Sequence, residues 1–228
     1  MSEGIGAIDC KSIRRSTIYA NAPSPRAFIR THGGRMADLS EPDALSPENH
    51  VWEVAHALSH LWRFTGHCRR FYSVAQHAVN CSHLVLDPAD ENTIVQYDRL
   101  HHDDAEAYYG DMSSPLKRLP ELQGYRNLEA RAQHVAGGGW SSAATHAADS
   151  AMCRRELYDL FDPPYGESDN WVPRITRTWW PMEAEIRYLF RHFSLLRQLG
   201  EIKYLDGDTW RRLPSNWQII RRVIAGRF

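Results

Sequence analysis

The sequence predicts an all-α fold, a compact helical bundle with an irregular N-terminal arm and a small hairpin-bearing tail. Three observations carry that expectation. Apolar residues recur at steps of three and four through several stretches between residues 47 and 198. Helix-start chemistry, a capping box and prolines in first turns, precedes several of them. The hairpin signature, Asp206-Gly207 between alternating residues, lies close to the C-terminus. With 228 residues and 43% hydrophobic content the chain can bury one substantial core. The organisation expected is an arm over 1–45, one domain over 46–200 and a tail over 201–228 packed on that domain.

The first helix is expected over about 47–62, where Val51, Val54, Ala55, Leu58 and Leu61 share a face after Ser46 and Pro47. A basic loop, Arg63 to Tyr72, leads to Ser73 and Gln76, a capping-box pair that opens a helix to about Leu86. A helix from about Asp90 to Tyr109 is stopped by Gly110. Ser114-Pro115 starts a short turn of helix, and Glu121 to Val135 forms another, ended by Gly137-Gly138-Gly139. A helix over about 143–161 follows, then a proline-containing loop to Trp179. Pro181 opens the last helix, whose stripe Met182, Ile186, Leu189, Phe193 and Leu196 is expected to close the core.

Composition excludes several classes. The 27 basic and 28 acidic residues nearly cancel, so nothing global favours a nucleic-acid coat or an anionic membrane. Cys10, Cys68, Cys81 and Cys153 form no C-x-x-C pair, which argues against a zinc ribbon or disulfide framework and fits reduced thiols. With no membrane-length apolar run and no secretory h-region, a soluble cytoplasmic protein is expected.

Chemistry is concentrated on three helices. His77 lies on the stripe of Val74, Ala78, Cys81 and Val85 and is expected to point inward. His102 and Glu106 share a face with Val95 and Tyr109, with Asp103 beside them. Asp149 precedes Met152, Cys153, Glu156 and Leu160 at helical spacing. Carboxylates crowded at a buried edge must be paired, hydrogen-bonded or neutralised by a cation. Two imidazoles with two carboxylates suit one divalent transition ion, zinc, cobalt, manganese or iron, better than calcium. Arg63, His67, Arg69, Arg70 and Lys117 offer positive charge for phosphate. The alternative for Arg69 and Arg70 is a solvated loop, for Phe64 a core aromatic rather than a wall for base or sugar, and for Glu106 a simple ion pair.

His77, His102-Asp103 and Asp149, in that order, resemble the H…HD…D pattern of the HD-domain phosphohydrolase superfamily. The run His102-Asp103-Asp104-Ala105-Glu106 through Gly110-Asp111-Met112-Ser113-Ser114-Pro115-Leu116-Lys117 is similar to the H-D-x-x-E…G-D-x-x-[ST]-P-x-K block of bacterial 5′-deoxynucleotidases. Arg63-Phe64 resembles the Arg-aromatic pair that precedes the first histidine there, in a neighbourhood that includes phage dATP triphosphohydrolases. The resemblance implies an HD domain over 46–200 and one catalytic metal on His77, His102, Asp103 and Asp149. It further implies a water activated with help from Glu106, and Asp111 receiving the sugar hydroxyl. Asp104 and His101 depart from the pattern, and residues beyond about Gly200 lie outside it.

The function expected is hydrolysis of a deoxynucleoside phosphate, foremost a dATP-preferring triphosphohydrolase, with a 5′-deoxynucleotidase or a non-catalytic nucleotide-sensing module as alternatives. The partners expected are a deoxynucleotide substrate, bound by Arg63, Phe64, His67, Arg70, Asp111 and Lys117, and further copies of the chain in a homo-oligomer. Stable nucleic-acid binding and membrane association are not expected.

Overall fold

Short polar side chains and prolines start most of the helices. In a computed structural model of the protein, which describes residues 27–42, 45, 50–87, 92–136 and 142–200, the order is β1 (Phe28–Arg30), β2 (Met36–Asp38), α1 (His50–His60), α2 (Val74–His83), α3 (Thr93–His101), α4 (Glu106–Tyr109), α5 (Ser114–Lys117), α6 (Gln123–Ala136), α7 (Ala143–Asp159) and α8 (Pro181–Gln198). Among the described residues the fold is all-α apart from one two-stranded sheet. Ser73, Asn92 and Ser142 each accept an amide of the first turn, from Gln76, Ile94 and Thr145, and so open α2, α3 and α7. The expected helix starts at Ser46-Pro47 and near Asp90, the Gly137–Gly139 stop, most of the arm and the C-terminal hairpin lie outside the described residues.

The capping box at Ser73 is half realised. Ser73 Oγ takes the Gln76 amide at 3.2 Å, but the Gln76 side chain turns to the long loop, donating to the Arg177 carbonyl at 3.0 Å and accepting the Trp179 amide at 2.8 Å. It fastens the 160–179 segment onto α2. The helix itself is buried on most sides, from Val74 to Val79 and again at Cys81 and Ser82, and stops before Val85, which is exposed rather than on the inward stripe. α1, α3 and α8 surround it through Val54, Ala55, Leu58, Leu100, Ala184, Tyr188, Leu189 and Leu195. α7 closes the other side through Ala148, Ala151 and Met152 against Cys81 and Leu84.

Three expectations are corrected. The arm contains an antiparallel hairpin, Phe28 opposite Asp38, whose three-residue strands are too short to show an alternating pattern. It docks on α1 through Glu53, which receives Thr31 Oγ1 at 2.8 Å and Arg35 Nε at 3.0 Å; a Cβ at Gly33 would run into Glu53 Oε1. The helix expected from Asp90 to Tyr109 is two helices, α3 and α4, separated by turns over 102–105. The buried face of α8 is centred on Ala184, Tyr188, His192 and Leu195, while Met182 is exposed. Of the expected stripe Leu189 is buried and Ile186 and Phe193 pack against the core, and the buried face extends to Glu185, Tyr188 and His192, whose polar partners lie on α1 and at the end of α3.

Glu185 faces α1 with a carboxylate oxygen 3.3 Å from His56 Nδ1. Burial pushes the Glu185 carboxyl up to about 7, while burial and the neighbouring His32 and His60 lower His56 to about 4. Between those limits the contact is a hydrogen bond of neutral groups. A carboxyl raised on folding contributes stability below its unfolded pKa and loses it as pH rises through the folded value. Glu185→Gln is therefore expected to be more stable than the native chain at pH 8 and equal to it at pH 4, as read by urea denaturation at both pH values.

Candidate metal centre

The turns between α3 and α4 have an identifiable cause. In an unbroken helix the His101 carbonyl would accept the Ala105 amide. Here the Gln133 side chain of α6 takes both groups: its Nε2 donates to the His101 carbonyl at 2.6 Å and its Oε1 accepts the Ala105 amide at 2.9 Å. Insertion of a side chain into the ladder opens the helix, and the opened residues are His102 and Asp103. His102 Nδ1 donates back to the Arg99 carbonyl at 2.8 Å, which leaves Nε2 as its free nitrogen.

His77, fully buried on α2, is fixed the same way: Nδ1 donates to Glu156 Oε1 of α7 at 2.6 Å. Its Nε2 lies 3.3 Å from His102 Nε2 and 3.2 Å from Asp149 Oδ1. Asp103 Oδ2 lies 3.2 Å from His102 Nε2 and 3.7 Å from His77 Nε2. Cys81 Sγ joins from below at 3.4 Å from His77 Nε2. One ligand atom each from His77, Cys81 and His102 falls within 4.8 Å of the others, a grouping that could hold a metal ion.

The donor set fits a cation for a specific reason. With both Nδ1 protons committed, the two Nε2 atoms present lone pairs to one another across 3.3 Å, an arrangement that is repulsive until a positive charge stands between them. When protons take that place, burial pulls His102 down but Asp103 and Asp149 outweigh it and raise it to about 9. Burial and Arg63 likewise oppose a proton on His77, yet Cys81, Glu156 and Asp149 hold it well above its ordinary value. Asp149 is lowered in turn: burial works against its charge, and the hydrogen bonds from His102 and His77 prevail.

A cavity of about 380 Å³ opens beside Asp103 and Asp149 and is lined also by Arg63, Glu106, Asp111 and Lys117. Arg63 lines it, and the two residues that follow, Phe64 and Thr65, are in left-handed backbone, both at φ +54°, where L side chains cost about 1–2 kcal/mol each. Its guanidinium bridges Glu156 at 3.1 Å and Asp103 at 3.5 Å. Lys117 is held by Glu129 at 2.7 Å and Glu106 at 3.4 Å. Glu106 keeps its other oxygen, Oε2, buried without a hydrogen bond. Burial, with Asp103 and Asp111 beside it, pushes the Glu106 carboxyl well above the usual carboxylate range against the pull of Lys117 and Arg63.

The structure thus brings His77, His102, Asp103 and Asp149 together, with Glu106, Asp111, Arg63 and Lys117 around the adjoining cavity. It does not bring the other three expected residues there. The Phe64 ring packs edge-on against Phe161 at 5.3 Å, beside Cys68, Tyr72 and Leu160. His67 is exposed, and Arg70 lines a different cavity with Arg69 and Arg174. Sequence reasoning missed Glu156, Cys81 and Gln133. Glu156 carries a signal in retrospect, a charged residue seven positions after Asp149 on an inward stripe; Gln133 carries none.

No protein-family model matches the chain. It is similar to an uncharacterized protein, YfdR, of Escherichia coli K12, at 45% identity over 112 residues, a match that spans 48% of this chain and 56% of that protein.

Partners that orient metal-ligating imidazoles typically contribute about 10–100-fold to affinity. Glu156→Gln is expected to weaken cobalt(II) binding by that order, read by equilibrium titration of the metal's visible absorption. Gln133→Leu is expected to weaken it as well, by allowing the 101–105 helical turn to close and swing His102 and Asp103 out of register. A cobalt affinity unchanged in both variants would separate these contacts from the metal.

Proposed function

We propose that the protein is a metal-dependent phosphohydrolase of the HD type that acts on deoxynucleoside phosphates. The observation that carries this reading is the convergence of two oriented Nε2 atoms and two carboxylates at the edge of a polar cavity. The resemblance of the 102–117 block to 5′-deoxynucleotidases supports the substrate class. The four ligands are His77, His102, Asp103 and Asp149; zinc, cobalt and manganese all suit their mixed nitrogen and oxygen donors. A divalent ion so held lowers the pKa of water and polarises a phosphoryl oxygen.

The chain's own groups account for the remainder. Glu106, its carboxyl favouring the protonated form, holds a proton at the cavity wall and serves as general acid or base. Lys117 and Arg63 supply positive charge next to the phosphate, and Asp111 supplies an acceptor for a sugar hydroxyl. Within this reading the resemblance to phage enzymes favours a dATP-preferring triphosphohydrolase. One observation favours a 5′-deoxynucleotidase instead: the cavity's two cations are already engaged by Glu156, Asp103, Glu106 and Glu129, and Arg70 lies elsewhere. A monophosphate asks less of them than a triphosphate.

Incubation of the metal-loaded protein with four dNTPs and four dNMPs, with separation of products, is expected to show release of triphosphate or phosphate that chelation abolishes. Bound nucleotide with no product on long incubation would instead identify a sensing module. Glu106→Gln is expected to keep its metal and lose about 10²–10⁴-fold in kcat. Full turnover in that variant would remove Glu106 from the chemistry and leave it as the ion-pair partner of Lys117.

A further inference from the structure

The basic loop after α1 divides its charge between two places. Arg63 turns into the metal cavity. Arg69 and Arg70 line a second cavity of about 210 Å³, facing Arg174, Thr176 and Thr178 from the long loop and Asp159 and Leu160 from the end of α7. Along α7 the two cavities take different turns: Asp149 and Cys153 border the first, Asp159 and Leu160 the second. Asp149 and Asp159 are thus roughly 15 Å apart at 1.5 Å per residue. The buried Glu156 stands between them on the helix, its carboxylate bonded to Arg63 of the loop after α1.

The charge in this second cavity is only partly cancelled. Asp159 already receives Arg155 Nε at 2.7 Å, a second Arg155 nitrogen, and the Ile175 amide at 2.7 Å. Arg69 spends one nitrogen on the Asp159 carbonyl, at 2.9 Å, and a second lies 3.9 Å from an Asp162 carboxylate oxygen at the solvent-exposed rim. The side chains of Arg70 and Arg174 make no hydrogen bond or ion pair among the described residues. Three guanidinium groups from two loops thus share one concavity with two threonines and no uncommitted carboxylate. Like charges so placed repel one another, and an anion with several oxygens relieves that repulsion while taking up the forked donors. The volume, several times the roughly 30 Å³ of one water, accommodates such a group.

We propose that this cavity is a phosphate-binding site separate from the metal centre, formed by Arg69, Arg70 and Arg174, whose ligand is a phosphorylated small anion bearing more than one phosphate. A free polyphosphate and the phosphate tail of a nucleotide share that chemistry. The site is independent of turnover at the metal centre.

The test is isothermal titration calorimetry of the full chain with inorganic tripolyphosphate, orthophosphate and a nucleoside triphosphate, before and after chelation of metal. Tripolyphosphate is expected to bind more tightly than orthophosphate, and to keep binding after chelation. Loss of the two uncommitted guanidinium groups in R70Q/R174Q is expected to weaken it about tenfold or more, with circular dichroism unchanged because both side chains are exposed and unpartnered. A nucleoside triphosphate matching tripolyphosphate would identify a site that reads phosphate alone. Tighter nucleotide binding, still lost in R70Q/R174Q, would add base or sugar contacts to it. Equal tripolyphosphate affinity in native and R70Q/R174Q chains, or no binding by the native chain at millimolar anion, overturns the proposal. Failure of hydrolysis with this binding intact would count against the phosphohydrolase reading alone.

Discussion

The buried carboxylate of Glu156 is the constraint on which the site depends. It has no exposure to solvent and accepts from both His77 Nδ1 and Arg63 Nε. Taking such a charge out of water costs several kcal/mol unless good partners surround it, so α7, α2 and the loop after α1 are held in one relative arrangement. Burial alone would raise this carboxyl; Arg63 and His77 outweigh it and keep it ionised. An ionised Glu156 in turn decides which nitrogen of His77 carries the proton, and therefore that Nε2 faces His102 and Asp149. The left-handed backbone at Phe64 and Thr65 belongs to the same arrangement, since it lies immediately after the arginine that completes the pair.

A second constraint acts from the opposite side. His102 and Asp103 are adjacent in sequence, and on a regular helix adjacent side chains diverge by about 100°. For both to reach one point, the backbone between α3 and α4 has to leave helical geometry, and Gln133 provides the means by substituting its amide for the missing main-chain bond. The interruption leaves neither of these backbone groups unsatisfied. It is a local departure from regular structure that the surrounding fold compensates, of the sort that sites requiring convergence tend to contain.

What was legible in the sequence follows from the range over which each signal acts. Helix existence was legible because caps and periodicity are local: Ser73 and Pro181 start their helices where their chemistry indicates. The inward direction of His77 was legible because α2 is flanked by apolar neighbours, and the H…HD…D order picked out residues that the structure gathers together. The break after His101 was not legible, because its cause lies in a residue 32 positions away on another helix. Arg70 and His67 were misplaced for a related reason. A basic loop announces charge, but its backbone path decides which cavity each side chain enters, and two left-handed residues redirect that path.

The departures at His101 and Asp104 acquire a physical role in this frame. Asp104 Oδ2 accepts from His101 Nδ1 at 2.7 Å, its other oxygen is hydrogen-bonded by the Tyr188 hydroxyl, and His101 Nε2 lies 2.9 Å from His192 Nδ1. All four side chains are buried, and two of them belong to α8. The turn that presents His102 and Asp103 on one side is thus secured from behind to the last helix. An α8 turned to bury Met182 would take the Tyr188 hydroxyl from Asp104 and leave one buried carboxylate oxygen unsatisfied, with His101 holding only the other. The placement of α8, with Leu189 buried, Ile186 and Phe193 against the core and Met182 left in solvent, is the consequence: satisfying a buried carboxylate next to the site outweighs burying the first residue of the stripe.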